Sequence, residues 1–184
     1  MCPIGVVGHT GVAGLTLGGG VGRLQRKFGL TIDSLRAVEL VTADGRRVRA
    51  GRDENEALFW GIRGAGANFG IVTAFEFDLH AFGPTLRRGL WVYPIDRIHE
   101  AWGLFHSMVS AASNDLAASF ALGLATPVAD FDESIAGKPV VFIGAAHAGD
   151  EVAAARDIRP LLDAAPPVMG GALTRPSAFR RPTT

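Results

Sequence analysis

The sequence predicts an α+β fold, and three observations carry the prediction. Apolar and polar residues alternate in short runs closed by turn residues, the pattern of half-buried antiparallel strands. Stretches with helical period stand between those runs, at Asp53–Arg63 and from Asp96 to Ala112, without the strict strand–helix–strand alternation of a parallel sheet. With 48% hydrophobic and 20% charged residues, the 184-residue chain can bury a substantial core.

The bulk numbers narrow the function classes. Eighteen basic residues balance eighteen acidic ones for a formal net charge of +0. That argues against broad electrostatic binding of nucleic acid or an anionic membrane. Cys2 is the only cysteine, which excludes an intrachain disulfide and a cysteine-based metal cluster. No apolar run reaches the roughly 18 residues of a spanning helix. The N-terminus shows no basic segment followed by an apolar stretch, so no signal peptide is expected. The resulting expectation is a soluble, cytoplasmic protein.

The first segment is unusual. Eight glycines fall between Gly5 and Gly22. That density argues against an ordinary helix or strand, because glycine loses the most backbone entropy on folding. Two readings stand side by side: tight turns between buried strands, or a backbone that comes close to a ligand, with exposed amides forming a nest for an anion such as a phosphate. Gly22–Leu30 then reads as a short helix, with Leu24 and Phe28 four apart and Gly29 closing it. Leu35–Ala50 reads as a β-hairpin around a two-residue Asp44-Gly45 turn, with Val38, Leu40 and Thr42 alternating with Glu39 and Val41, and with Val48 and Ala50 sharing one face of the return strand. Asp53–Arg63 is helical, with Asp53 and Glu56 at capping-box spacing, Leu58, Phe59 and Ile62 in its apolar stripe and Trp60 at the stripe's edge. A second glycine cluster, Gly64–Gly70, leads into a strand from Ile71 to His80 with Phe75, Phe77 and Leu79 inward.

Pro84 closes a boundary segment. Beyond it come a strand at Leu86–Tyr93, a helix capped by Asp96 with Trp102 and Phe105 in its core stripe, and a strand at Leu116–Thr126. A solvated acidic loop at 127–137 leads to a strand at Val140–His147, and Asp150 caps a last helix that Pro160 ends or kinks. The tail from Gly170, with three arginines, two prolines and no period, reads as loosely attached. His99 and His106 read as surface or edge residues.

Several chemical motifs are absent. Read from Gly18, the third glycine of G-x-G-x-x-G would fall on Arg23, and from Gly20 on Gln25. The P-loop, zincin, nucleophile-elbow and C-x-x-C patterns are missing as well.

Other residues carry a resemblance: His9 to Gly22, Lys27-Phe-Gly-Leu-Thr-Ile-Asp33, Val41-Thr-Ala-Asp-Gly45, Glu54-Asn55, Leu58-Phe-Trp60, Arg63-Gly64 and Asn68 to Thr73. In this order and spacing they resemble the FAD-linked oxidases with a PCMH-type FAD-binding domain, and among them the berberine bridge enzyme-like proteins. The resemblance implies the C-terminal part of such an FAD-binding domain at residues 1–84, part of an α+β substrate domain at 85–169 and an irregular tail at 170–184. It implies FAD as cofactor, held along the main chain of Gly8, His9, Thr10, Gly11, Gly14, Leu15, Gly18, Gly19 and Gly22, and of Gly70, Ile71 and Val72. It also implies a small-molecule substrate, an alcohol or amine whose hydride passes to flavin, with O₂ as final oxidant. No metal, nucleic acid or membrane partner follows from it. The cysteine that links flavin in doubly linked members falls on Val7, and a histidine found before the triple glycine in some members falls on Leu15. Family members start well before this chain's first residue and carry their catalytic tyrosines after its last. The chain therefore reads as an internal fragment with no catalytic base of its own. The competing reading is an inactive remnant, or a non-catalytic partner chain that does not bind FAD alone.

Overall fold

A computed structural model describes residues 1–83, 86–125, 135–171 and 173. The chain divides into two compact units, Met1–Gly83 and Pro84–Thr184. Most of the acidic loop at 127–137 and nearly all of the tail lie outside the described residues. Among the described residues no helix is long and apolar enough to cross a membrane, and no three His, Cys, Asp or Glu residues cluster to hold a metal.

The first unit is built on an antiparallel sheet of order β2-β1-β3, with β1 at Leu35–Val41, β2 at Arg47–Gly51 and β3 at Ile71–Phe77. Its inner face follows the predicted alternation. Val38 pairs with Ala50 and Leu40 with Val48, and these residues pack under Phe59 and Ile62 of α3, Glu56–Ala65. Each fully buried aliphatic side chain there contributes about 1.5–3 kcal/mol. The outer face is wet: Arg49 meets Glu76 at 2.7 Å and Arg36 meets the same carboxylate at 3.2 Å.

Four local expectations change in this unit. The hairpin closes through three residues, Ala43–Gly45, because Gly45 N–H donates to Thr42 O (2.9 Å) and Thr42 N–H to Arg46 O (3.0 Å). Gly45, at φ 79°, supplies the left-handed residue that follows such a turn. The helix starts at Glu56, not Asp53, because Gly51 N–H donates to Glu54 O (2.7 Å) and keeps the chain turning. Asn55 is its N-cap at φ 50°, and its Nδ2 donates to Arg49 O (2.7 Å) instead of capping. Trp60 lies outside the apolar stripe, 80% exposed. β3 stops at Phe77, short of His80, because Asp78 N–H turns to Ser34 O (2.8 Å) and the His80 ring stacks on Phe28 at 4.4 Å. Leu79 is left exposed.

The second unit is a four-stranded antiparallel sheet of order β5-β6-β4-β7. Its strands are β4 (Arg87–Pro94), β5 (Leu116–Leu124), β6 (Pro139–His147) and β7 (Met169–Gly170). α4 (Ile98–Ala111), α5 (Glu151–Asp157) and α6 (Arg159–Leu162) supply the helices. The main core joins Trp91, Tyr93, Val141, Ile143 and Ala145 of the sheet to Ala101, Met108, Ile158 and Leu161 of the helical segments. Asp96 does not cap α4. It sits in a 3-10 turn, Ile95–Arg97, that runs straight into the helix, whose N-cap is Arg97. Trp102 touches Phe120 at 5.2 Å yet stays half exposed, so it edges the core instead of filling it.

Asp150 caps α5 as expected, its Oδ1 accepting from Ala153 N–H at 2.8 Å. Val152 faces solvent on that helix. Pro160 stands in the first turn of α6, where its missing N–H leaves no bond unmade. The start of the tail is tied down. Val168 N–H donates to Val92 O (2.9 Å) and Gly171 N–H to Leu90 O (3.3 Å), which flank the short strand β7.

Candidate functional site

The glycine stretch folds in two distinct halves. In the second half the chain itself occupies the space that a side chain would need. A Cβ on Gly22 would meet Ile4 O at 2.3 Å, where an isolated bridge joins Gly5 to Gly22. A Cβ on Gly20 would meet the Thr31 side chain at 2.5 Å. Thr31 N–H and Ile32 N–H donate to the carbonyls of Gly20 and Gly19, both at 2.9 Å. These glycines are internal joints, as the tight-turn reading expected.

The first half is different. Gly8, Gly11 and Gly14 are exposed, and a Cβ on any of them would meet nothing within 4 Å. No neighbour in the chain requires glycine there. The amides of Gly8, His9, Gly11, Val12, Ala13 and Gly14 make no hydrogen bond among the described residues. Val6, Val7 and Val12 are exposed beside them. The first 32 residues contain no acidic side chain, and His9 lies in the run of free amides. Unpaired amides, no carboxylates and an apolar border make a surface that suits a large, partly apolar anion.

A short helix nevertheless forms inside the stretch, against the expectation from its glycine density. α1 spans Val12–Leu17 and includes Gly14. Packing outweighs propensity here. Thr16 is buried and its Oγ1 donates to Val12 O at 2.7 Å, Leu15 covers Gly5, and Leu17 covers Gly66 of the second glycine cluster. α2 is shorter than expected, Gln25–Phe28, and ends at Gly29 with φ 81°.

The expected contact residues therefore occupy several environments. Gly8, His9, Thr10, Gly11 and Gly14 lie together on the exposed run, where Thr10 Oγ1 donates to Val7 O (3.0 Å). Leu15 is half-buried and Gly18 closes α1, while Gly19 and Gly22 belong to the internal joints. Gly70, at φ 139°, lies so close to β1 that a Cβ would meet Val41 O at 2.3 Å. Ile71 begins β3 opposite Val41 and is exposed, whereas Val72 packs toward the core. The two glycine-rich segments touch through Leu17 and Gly66.

One polar cluster has no signal in the sequence. In the second unit His147 and Asp157 are buried, and Asp157 Oδ2 accepts from Ser113 Oγ (2.5 Å), Ser113 N–H (3.1 Å) and His147 Nε2 (3.1 Å). Arg156 Nε donates to the other oxygen at 2.9 Å. Gly149 N–H donates to His147 Nδ1 (3.0 Å), which leaves the ring proton on Nε2. Burial pushes the Asp157 carboxyl up, but the hydrogen bonds from Ser113, Arg156 and His147 outweigh it and bring the pKa down to about 2. Serine and histidine both point at the carboxylate, so the histidine cannot activate the serine. The cluster is a structural pin joining the end of β6, the α4–β5 connection and α5.

No protein-family model matches the chain. Sequence relatives do. The chain is 46% identical over 104 residues to the FAD-linked oxidoreductase pgmH of Aspergillus terreus, covering 56% of this chain and 21% of that protein. It is 35% identical over 152 residues to the FAD-linked oxidoreductase tazG of Aspergillus terreus, covering 80% of this chain and 29% of that protein. Among solved structures, 6-hydroxy-D-nicotine oxidase from Arthrobacter nicotinovorans superposes with a TM-score of 0.79 at 28% identity, over 95% of this chain and 37% of that one. Physcomitrella patens BBE-like 1 superposes with a TM-score of 0.74 at 29% identity, over 95% of this chain and 35% of that one. In fold and in sequence the α+β chain is similar to one class, the FAD-linked oxidoreductases. Within that class it is related, in sequence and in fold, to the berberine bridge enzyme-like oxidases, and it spans about a fifth to a third of the length of these relatives.

Proposed function

We propose that the exposed run Gly8–Gly14 is one wall of an FAD site, and that the chain contributes to an oxidoreductase acting on a small molecule. The observation that carries this reading is the pairing of unfilled glycine surface with unpaired amides at Gly8, His9, Gly11, Val12, Ala13 and Gly14. Those amides would donate to the cofactor's phosphates and polar edge, and the neighbouring valines would meet its apolar parts. Gly18, Gly19, Gly22 and Leu15 hold that wall in shape, and Gly70, Ile71 and Val72 form a second main-chain approach. In this reading residues 1–84 are the FAD-binding part and 85–169 the substrate part. FAD, when bound, supplies the acceptor for a hydride from an alcohol or amine carbon, with O₂ as final oxidant. The chain's own share is binding and orientation, and none of these residues is assigned as a base.

Titration of FAD into the purified chain, followed by flavin fluorescence, tests the reading. Weak but saturable binding is expected, with Gly11→Val raising the Kd about tenfold, equivalent to about 1.4 kcal/mol. Binding that never saturates would favour the rival reading, a chain that does not hold FAD by itself. Equal affinity of wild type and Gly11→Val would move the site elsewhere.

A further inference from the structure

The segment 63–70 carries part of the resemblance, and two of its glycines serve the fold in different ways. At Arg63 and Gly64 the backbone leaves helical geometry, and Gly64 takes φ 122° where a Cβ would meet nothing within 4 Å. That glycine is required by the bend and not by crowding. The bend folds the chain back on α3, so that the Phe69 ring lies 2.7 Å from the Cβ position of Gly61. A 3-10 turn, Gly66–Asn68, follows the bend. Gly66 is buried there, and a Cβ on it would lie 2.7 Å from Leu17 Cβ and 2.8 Å from Leu17 Cδ2. Rotating the leucine side chain would relieve the second contact but not the first, because Cβ is fixed to the backbone of α1.

We infer that Gly66 is a positioning residue for the exposed run Gly8–Gly14. Leu17 is the last residue of α1, and the end of the run, Val12 to Gly14, is the first turn of the same helix. The seat of Leu17 on Gly66 therefore sets how closely α1 approaches α3, and with it where the free amides of Val12, Ala13 and Gly14 point. Leu17 also packs against the core under β1, so it cannot slide away from the seat without opening that core. The chain beyond α1 is held separately. Thr31 and Ile32 N–H donate to the carbonyls of Gly20 and Gly19, and Asp33 of the same turn accepts from Arg63 Nη2 at 3.4 Å. An exposed ion pair of that length contributes little, so the steric seat carries the coupling. A Cβ at position 66 would have to push Leu17 back by about 1 Å to reach ordinary contact. A helix of six residues passes such a shift to its first turn. The inference rests on the reading of the run as an FAD wall and adds the residue that places it.

Hydrogen exchange of the full chain, read at the amides of residues 15–19, tests this together with FAD titration. Gly66→Ala should make those amides exchange about tenfold faster, leave the amides of β1 at their wild-type rate, and raise the FAD Kd about tenfold. Leu17→Ala removes the contact from the other side without any overlap, and keeps the test open should Gly66→Ala not fold. It should move both readouts in the same direction, by about threefold to fivefold. Val48→Ala trims the same core from β2; it should lower the melting temperature and leave both readouts at wild type. Saturable wild-type binding with unchanged exchange at residues 15–19 in Gly66→Ala would overturn the inference and leave the FAD reading standing. Faster exchange with a wild-type Kd would overturn it together with that reading, because α1 would then not position the cofactor site. Val48→Ala raising the Kd as far as Gly66→Ala would also overturn it, since any loss of core packing would then suffice.

Discussion

His147 Nε2 donates to Asp157 Oδ2 across 3.1 Å, and both side chains are out of solvent. The pair ties the last residue of β6 to the last residue of α5, and Ser113 adds the α4–β5 connection through the same oxygen. Because the Asp157 carboxyl titrates at about 2, below its ordinary 3.8, its contacts favour the folded state. The sign follows from linkage: the contribution, about 2 kcal/mol, is fully present above pH 4 or so and is lost as the pH falls through about 2. Asp157→Asn should therefore lower stability by about 2 kcal/mol near neutrality and flatten the acid limb of the stability curve. Urea unfolding at a series of pH values measures both. An Asn variant as stable as wild type at pH 7 would show that the pin contributes nothing.

Tyr93 offers the opposite case. Its hydroxyl is buried and has no hydrogen-bond partner among the described residues, while the Arg97 guanidinium lies over the ring at 5.0 Å. Burial holds the phenol above its usual pKa, so it stays neutral at ordinary pH. A buried hydroxyl without a partner detracts from stability, and Tyr93→Phe keeps the ring and its cation contact. The variant should gain up to about 1 kcal/mol, seen as a higher melting temperature. A loss of more than about 1 kcal/mol would mean that the hydroxyl has a partner.

These two sites mark where the sequence stops being legible. The β1–β2 pairing could be read directly, because alternation fixes which face of a strand is buried and Asp44-Gly45 marks a turn. The starts of α3 and α4 could not. The start of α3 is set by Gly51 reaching Glu54, and that of α4 by a 3-10 turn running into the helix; neither leaves a residue pattern. β7 is two residues long and has no period to detect. Ser113, His147 and Asp157 come from three segments and meet only in the folded chain. The glycine stretch was readable as a close-approach backbone, but the sequence treats its glycines alike. Only the fold separates those filled by the chain itself from those that face open space.

That separation is testable through stability alone. Gly70 sits at φ 139°, and a Cβ there would meet Val41 O at 2.3 Å. Gly70→Ala adds an unfavourable backbone conformation, roughly 1–2 kcal/mol, to an overlap with β1 that no side-chain rotation relieves, typically about 1–3 kcal/mol. The first unit should lose about 3 kcal/mol and melt before the second. Gly8 has no such constraint, since its Cβ would meet nothing within 4 Å. Gly8→Ala should change stability by less than about 0.5 kcal/mol, as surface substitutions usually do. The pair of measurements separates structure from ligand contact at the same residue type. If Gly8→Ala destabilised the chain as much as Gly70→Ala, the exposed run would be a structural element, and its open glycines would need no ligand to explain them.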